Sequence, residues 1–226
     1  MHRVDVRILA ACPAAAAQRE DVSRQEGAPV TAAFELLSPR LRLRRLRPDD
    51  AAAICAYRSL PEVARYQSWD SFTPDDAARL IAEQERATPN TPGTWLQLVL
   101  TPLADGEPVV GDCGIHFLAG DAREVELGIT LSPEYQCRGL AAEALASVLR
   151  YVFDALDKHR VRAVTDAENH AAASLFRRLG FRQEAHCVEN VWYKGAWGSE
   201  FVFALLQREW RAARPASPAT TAHHAP

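Results

Sequence analysis

The stretch ITLSPEYQCRGLAAE, residues 129–143, decides how this chain is read. Ile129 and Leu131 close a strand-like run, Glu124–Leu131, and a loop of small and polar residues follows. From Leu140 the apolar residues return at helical spacing, with Leu145, Val148, Leu149, Val152 and Leu156 on one face. The spacing predicts a strand that feeds, through a short loop, the N-terminus of a helix over Leu140–Leu156. Small residues at Gly139 and Ala141 allow backbone N–H groups close to an anion, and a helix start adds about half a positive charge. Such a loop suits a pyrophosphate, as in a nucleotide or coenzyme A. It is neither a Walker loop nor a G-x-G-x-x-G fingerprint, and an ordinary strand-to-helix turn also carries glycine.

Working outward, Leu41–Leu46 alternates apolar and basic residues as a half-buried strand does. Pro48-Asp49-Asp50 opens a helix carrying Ile54 and Tyr57, its carboxylates set against the N-terminal dipole. Thr73-Pro74-Asp75-Asp76 opens a second helix, through Arg86, with Thr73 as cap and proline in the first turn. Strands are expected at Trp95–Thr101 and Val109–Phe117 around an Ala104–Glu107 turn, and at Val161–Thr165. A helix over Ala171–Leu179 is closed by Gly180, and two strands, 184–193 and 199–206, flank the Lys194-Gly195 turn. The order β-α-α-β-β-β-α-β-α-β-β includes one strand–helix–strand unit, hence a parallel pair within a mixed sheet and an α/β class.

Composition narrows the partners. A chain of 226 residues fits one domain with extensions. A net charge of −3 gives no footprint for coating nucleic acid, and no run approaches the 18 apolar residues of a membrane span. Cysteines 12, 55, 113, 137 and 187 are odd in number and lack C-x-x-C spacing, which disfavours a disulfide framework or zinc knuckle and favours a reducing cytoplasm. Leu9-Ala10-Ala11-Cys12 has the outline of a lipoprotein cleavage box, but Asp5 and Arg7 interrupt the apolar region it needs. Residues 1–33 read as a flexible alanine-rich leader, 34–210 as the working domain, and 211–226, with no large apolar side chain, as a disordered tail. His223 and His224 in that tail read as solvated rather than ligating.

Gln136-Cys137-Arg138-Gly139-Leu140-Ala141 resembles the Q/R-x-x-G-x-G/A acyl-coenzyme A loop of the GCN5-related N-acetyltransferases (GNAT). The resemblance extends over residues 38–210. Leu41–Asp50 is similar to the family's first strand and helix start, Glu126-Leu127-Gly128 to the strand before the loop, and Asn169 through Leu179-Gly180-Phe181 to its N…LGF segment. Trp192-Tyr193-Lys194-Gly195 with Glu200–Trp210 is similar to the ending of RimJ/RimL-like members. The resemblance implies a central mixed, mostly antiparallel sheet flanked by helices, with a splayed strand pair at the acyl-coenzyme A site. It implies transfer of an acetyl group from acetyl-coenzyme A to a primary amine in a ternary complex, with no metal. The acceptor is read first as a protein or peptide N-terminal amine. A small amine such as a polyamine, amino acid or antibiotic is the alternative, with a non-catalytic acyl-coenzyme A-binding module as a third reading. Acyl-chain preference and oligomeric state, a homodimer included, stay open.

Carried over residue by residue, the resemblance places the acyl group and pantetheine arm on backbone groups of Ile129 and Leu131, and the pyrophosphate on Gln136, Cys137, Arg138, Gly139, Leu140 and Ala141. Asn169 fixes the pantetheine or the local turn. The chain departs from the family where a general acid is usual: the tyrosine position is Phe176, beside the expected cofactor path, and the serine position is Ala172, with Ser174 two residues further on. A thiol of pKa about 8.5 can still leave as thiolate when backbone donors stabilise it. Glu126 is the candidate base, acting directly or through water, or else a structural hydrogen-bonder; His116 is the alternative. An α-amine near pKa 8 needs about 1 kcal/mol to become neutral at pH 7, against about 4.6 for a lysine, so weak acid–base equipment suits an α-amine. Tyr66 and Trp69 are candidate acceptor-pocket residues, with Tyr193 on the opposite wall. Cys137, near a helix start, is a candidate for a lowered thiol pKa or a variable loop position, and Arg44, Arg45 and Arg47 read as a solvated strand face.

Overall fold

Eight strands share one sheet in the computed structural model, which describes residues 34–104, 106 and 108–213. In chain order the elements are β1 (Glu35–Leu37), β2 (Leu41–Arg45), α1 (Ala51–Arg58), α2 (Pro61–Ala64), α3 (Pro74–Glu85), β3 (Thr94–Pro102), β4 (Gly111–Phe117), β5 (Glu124–Leu131), α4 (Leu140–Arg150), β6 (Arg160–Asp166), α5 (His170–Arg178), β7 (Arg182–Tyr193), β8 (Ala196–Leu206) and α6 (Gln207–Ala213). The sheet runs β1-β2-β3-β4-β5-β6-β8-β7. Every neighbouring pair is antiparallel except β5–β6, which is parallel and joined through α4. This is the mixed, mostly antiparallel sheet that the family resemblance implies.

Alternation along the strands sends side chains to two cores. Leu98 and Leu100 of β3 point to the face covered by α4 and α5, where they join Leu145, Val148, Leu149, Phe176 and Phe203. Val99, between them, points to the other face, where Ile54 and Tyr57 of α1 meet Leu80 and Ile81 of α3. Local signals set the helix starts. The Thr73 hydroxyl accepts from Asp76 N–H at 3.2 Å while Asp76 returns a bond to Thr73 N–H at 2.9 Å, the reciprocal box that satisfies two first-turn donors. The Asn169 side chain accepts from Ala172 N–H at 3.0 Å at the start of α5.

Three short elements were not expected from periodicity: β1, α2 and α6 are too brief to display a repeat. The last runs to Ala213, past Trp210 where the tail was expected to begin, and Trp210 packs on Phe153 with ring centroids 6.1 Å apart. The helix expected to reach Leu156 is α-helical through Arg150 and then loosens into a π turn, Tyr151–Ala155. The leader, the Cys12 box, residues 214–226 with His223 and His224, and Asp105 and Glu107 of the expected turn lie outside the described residues. Among the described residues no helix is long and apolar enough to cross a membrane.

Candidate active site

The parallel pair β5–β6 is registered over only Glu124↔Arg160, Val125↔Val161 and Glu126↔Arg162. Both strands continue, to Leu131 and Asp166, without pairing to each other, so the sheet opens beyond Glu126. On the far side β5 stays paired with β4, and Ser132 N–H donates to Val110 O at 3.0 Å. Backbone groups alternate in direction along a strand, so Ile129 and Leu131 turn theirs away from β4 and toward the gap. The Leu131 carbonyl is taken by Gln136 Nε2 at 3.0 Å, which ties the loop to the strand end.

Two adjoining cavities occupy this opening. The larger, about 480 Å³, runs from the loop along α4 and α5 to α2; the smaller, about 60 Å³, lies between the parted strands. They share Tyr66, Gln67, Ile129, Asn169, Ala172 and Leu175, so a ligand laid along the larger reaches the smaller. Cys137 and Gly139 both adopt positive φ, 58° and 78°. Glycine takes that conformation freely, whereas Cys137 holds it at some cost, as functional loops often do. No side chain caps α4, whose N-cap is Gly139. Its first-turn N–H groups have no capping side chain among the described residues, and a helix start so left attracts an anion.

The expected loop residues divide. Gln136, Cys137, Gly139, Leu140 and Ala141 line the larger cavity, as does Leu131, while Ile129 lines both. Arg138 lies outside both linings, its guanidinium 5.5 Å from the Tyr135 ring centroid. Asn169 lines both cavities and caps α5. Phe176 is buried, edge-on to Phe181, and lines the smaller cavity where it carries no hydroxyl; Ala172 lines both, and Ser174 only the larger.

On the acceptor side Tyr66 lines both cavities and Tyr193 the smaller. The Tyr193 hydroxyl donates to Asp166 Oδ2. Trp69 is placed elsewhere: its Nε1–H donates to Arg58 O at 3.1 Å and its ring packs on Phe72 in the second core, outside both linings. Sequence reasoning missed Asp166 and Glu200, both of which line the smaller cavity. They are direct cross-strand partners on β6 and β8, an arrangement of like charges that destabilises a sheet unless other groups hold them. Tyr193 holds one and Asn190 the other, through Nδ2 at 2.6 Å from Glu200 Oε2. No sequence signal announces this pair, because register alone brings the two residues together.

Glu126 sits at the apex where the strands part, buried, with Arg162 Nε donating to its Oε2 at 2.8 Å. Burial pushes its pKa up to about 7; Arg162 opposes the shift and Glu200 adds to it. Glu126 is in the lining of neither cavity, so a carboxyl poised near neutrality there would reach an amine in the cleft only through a bridging water. His116, opposite Glu126 on β4, stacks on Trp95 at 4.6 Å, and burial with the nearby Arg162 charge lowers its pKa.

A sheet that parts beside an uncapped helix start, with two adjoining cavities at the opening, is the arrangement that the resemblance to acyl-coenzyme A-dependent transferases implies. The chain belongs to the GNAT acetyltransferases: the family model described as "Acetyltransferase (GNAT) domain" matches residues 40–182. It is 27% identical over 176 residues to the uncharacterized N-acetyltransferase p20 of Bacillus licheniformis, covering 77% of this chain and 97% of that one. It is 26% identical over 111 residues to the ribosomal protein uS5-alanine N-acetyltransferase of Escherichia coli, covering 49% and 57%. A spermidine N-acetyltransferase from Vibrio cholerae, solved with coenzyme A and spermine, superposes with a TM-score of 0.64 at 22% identity, covering 76% and 98%.

Proposed function

We propose that this acetyl-coenzyme A-dependent N-acetyltransferase acetylates the N-terminal amine of a protein or peptide by direct transfer, within one domain spanning residues 34–210. The observation that carries the reading is the cleft itself, whose donor end is an uncapped helix start and whose acceptor end presents carboxylates. The thioester supplies an acyl carbon already activated for attack. Ile129 and Leu131 orient it with backbone groups facing the gap, and the Gly139–Ala141 helix start holds the diphosphate. Asp166 and Glu200 receive the acceptor as an ammonium, and among the described residues no lysine or arginine lines the smaller cavity beside them. Glu126 takes the proton the amine must lose, through water, as the nitrogen bonds the acyl carbon, the C–S bond breaks and coenzyme A leaves as thiolate. An α-ammonium releases its proton near neutrality, within reach of a carboxyl at about 7. Tyr66 and Tyr193 line the cleft, their hydroxyls donating to Glu168 O at 3.4 Å and to Asp166 Oδ2, while Phe176 and Ala172 carry no hydroxyl.

A polyamine is the second reading, favoured by the facing carboxylates Asp166 and Glu200, which suit a multiply charged cation. Thiol release from acetyl-coenzyme A, with mass identification of the acetylated product, separates the two. Peptides with free N-termini should be acetylated on the α-amine with higher kcat/KM than spermidine or free amino acids, whose own carboxylate the pocket repels. Acetylated spermidine with silent peptides reverses the order of the two readings, and no product across the panel refutes both.

A further inference from the structure

Arg40, in the turn between β1 and β2, is distant in sequence from the acyl-coenzyme A loop yet is bonded to it at two points. Its Nη1 donates to the Arg138 carbonyl at 3.2 Å, and its Nε donates to Glu143 Oε2 at 2.6 Å in the first turn of α4. Glu143 Oε1 in turn accepts from Arg40 N–H at 2.6 Å and from the Ser38 hydroxyl at 2.7 Å. These bonds hold the Glu143 carboxyl below the ordinary carboxylate range despite the opposing effect of burial. Arg40 Nη2 lies 3.5 Å from where a Cβ on Gly139 would stand. Gly139 lines the larger cavity and Arg40 does not.

Two consequences follow from elementary geometry and charge. A trans peptide points its C=O and its N–H in opposite directions. Anchoring the Arg138 carbonyl on Arg40 therefore aims the Gly139 N–H, in the same peptide plane, away from Arg40. The second concerns Glu143, a negative charge within one turn of a helix start that must receive a diphosphate. Glutamate there is favourable to the helix dipole but repels the ligand, and the guanidinium cancels that repulsion.

We infer that Arg40 is a positioning residue for coenzyme A: through the Arg138 carbonyl and the Glu143 carboxylate it fixes the loop in its diphosphate-receiving shape, with no part in the chemical step. This rests on the acyl-coenzyme A reading of the cleft. The test is titration calorimetry of the full chain with coenzyme A and with its phosphate-bearing fragment, 3′-phosphoadenosine 5′-diphosphate. It is joined by the amide shift of Gly139 in NMR spectra and by kinetics with whichever amine the panel yields. Arg40→Ala should weaken both ligands by a similar factor, about tenfold, and raise KM for acetyl-coenzyme A while kcat stays within twofold. The downfield shift of Gly139 N–H on ligand addition, expected in the wild type, should be lost. Arg40→Lys keeps the charge but cannot span both acceptors as a fork, so its affinity should fall between the two. Should Arg40→Ala not fold, the lysine variant decides alone. Wild-type affinity in either folded variant, or a loss confined to kcat, overturns the inference. A wild type that takes up neither ligand refutes the acyl-coenzyme A reading and this inference with it, whereas binding by wild type and variant alike refutes the inference alone.

Discussion

Glu126 illustrates what a single residue's surroundings add to its identity. Its place on the strand before the loop is visible in the sequence. The partners that set its behaviour, Arg162 on β6 and Glu200 on β8, come from segments that only the register brings together. Its carboxyl holds a proton up to about 7 in the folded chain, against an ordinary value near 4.5. Between those values the folded state binds more protons than the unfolded state, so this residue's contribution to stability falls as pH rises through that window and is constant above it. The total is on the order of 3 kcal/mol. Glu126→Gln should remove this slope, seen as a smaller difference between urea unfolding free energies at pH 5 and pH 8 than in the wild type. In kinetics the same substitution should lower kcat/KM by about 10²–10⁴ and abolish the rising limb near pH 7 that belongs to this carboxyl. Full turnover with that limb intact in Glu126→Gln would assign proton removal to another group.

At the level of elements, the signals that act locally were legible: the Thr73 box, the proline-led helix starts and the apolar stripe of α4 all appear where their residues predict. The parallel nature of β5–β6 was also readable, from one strand–helix–strand unit. The point at which those strands part was available only by family resemblance, because pairing ends through long-range register and not through any residue within β5. The same limit hid the anchor between α1 and β4. Arg58, fully buried, donates through Nε to Asp112 Oδ1 at 3.2 Å and through Nη2 to Oδ2, and Tyr57 and Gln97 donate to the same carboxylate. Trp69 and Phe72 cover the guanidinium at 4.9 and 5.0 Å, which is the task the structure gives Trp69. Removing one partner strands a buried charge, so Arg58→Leu should cost about 3–5 kcal/mol in urea unfolding. Arg58→Leu with Asp112→Leu should cost less than the sum of the two single substitutions, whereas strictly additive single effects would mean the two charges do not stabilise each other.

For the whole molecule, the larger cavity draws its lining from elements far apart in the chain. Glu62 and Val63 come from α2, Thr130 from β5, Ala141 from α4 and Arg178 from α5. Acetyl-coenzyme A filling that cleft would contact elements from both faces, so its binding should stabilise the chain globally. Ligand at 100 times its Kd adds about 2.7 kcal/mol, and a domain of this size gains roughly 2–4 °C per kcal/mol. The expected rise in Tm is therefore about 5–10 °C, accompanied by slower hydrogen exchange in α2, the β5 end, and the starts of α4 and α5 together. Gly139→Asp supplies the control, because it forces a side chain into a backbone at φ 78° and adds a negative charge at the diphosphate's position. Its unliganded Tm should fall by no more than the strain of one such residue, and its ligand-induced rise should vanish. A rise confined to α4, with α2 and α5 exchanging as before, would show that the ligand rests on the loop without spanning the cleft. An unchanged Tm for the wild type at millimolar acetyl-coenzyme A would remove the donor from the proposed reaction altogether.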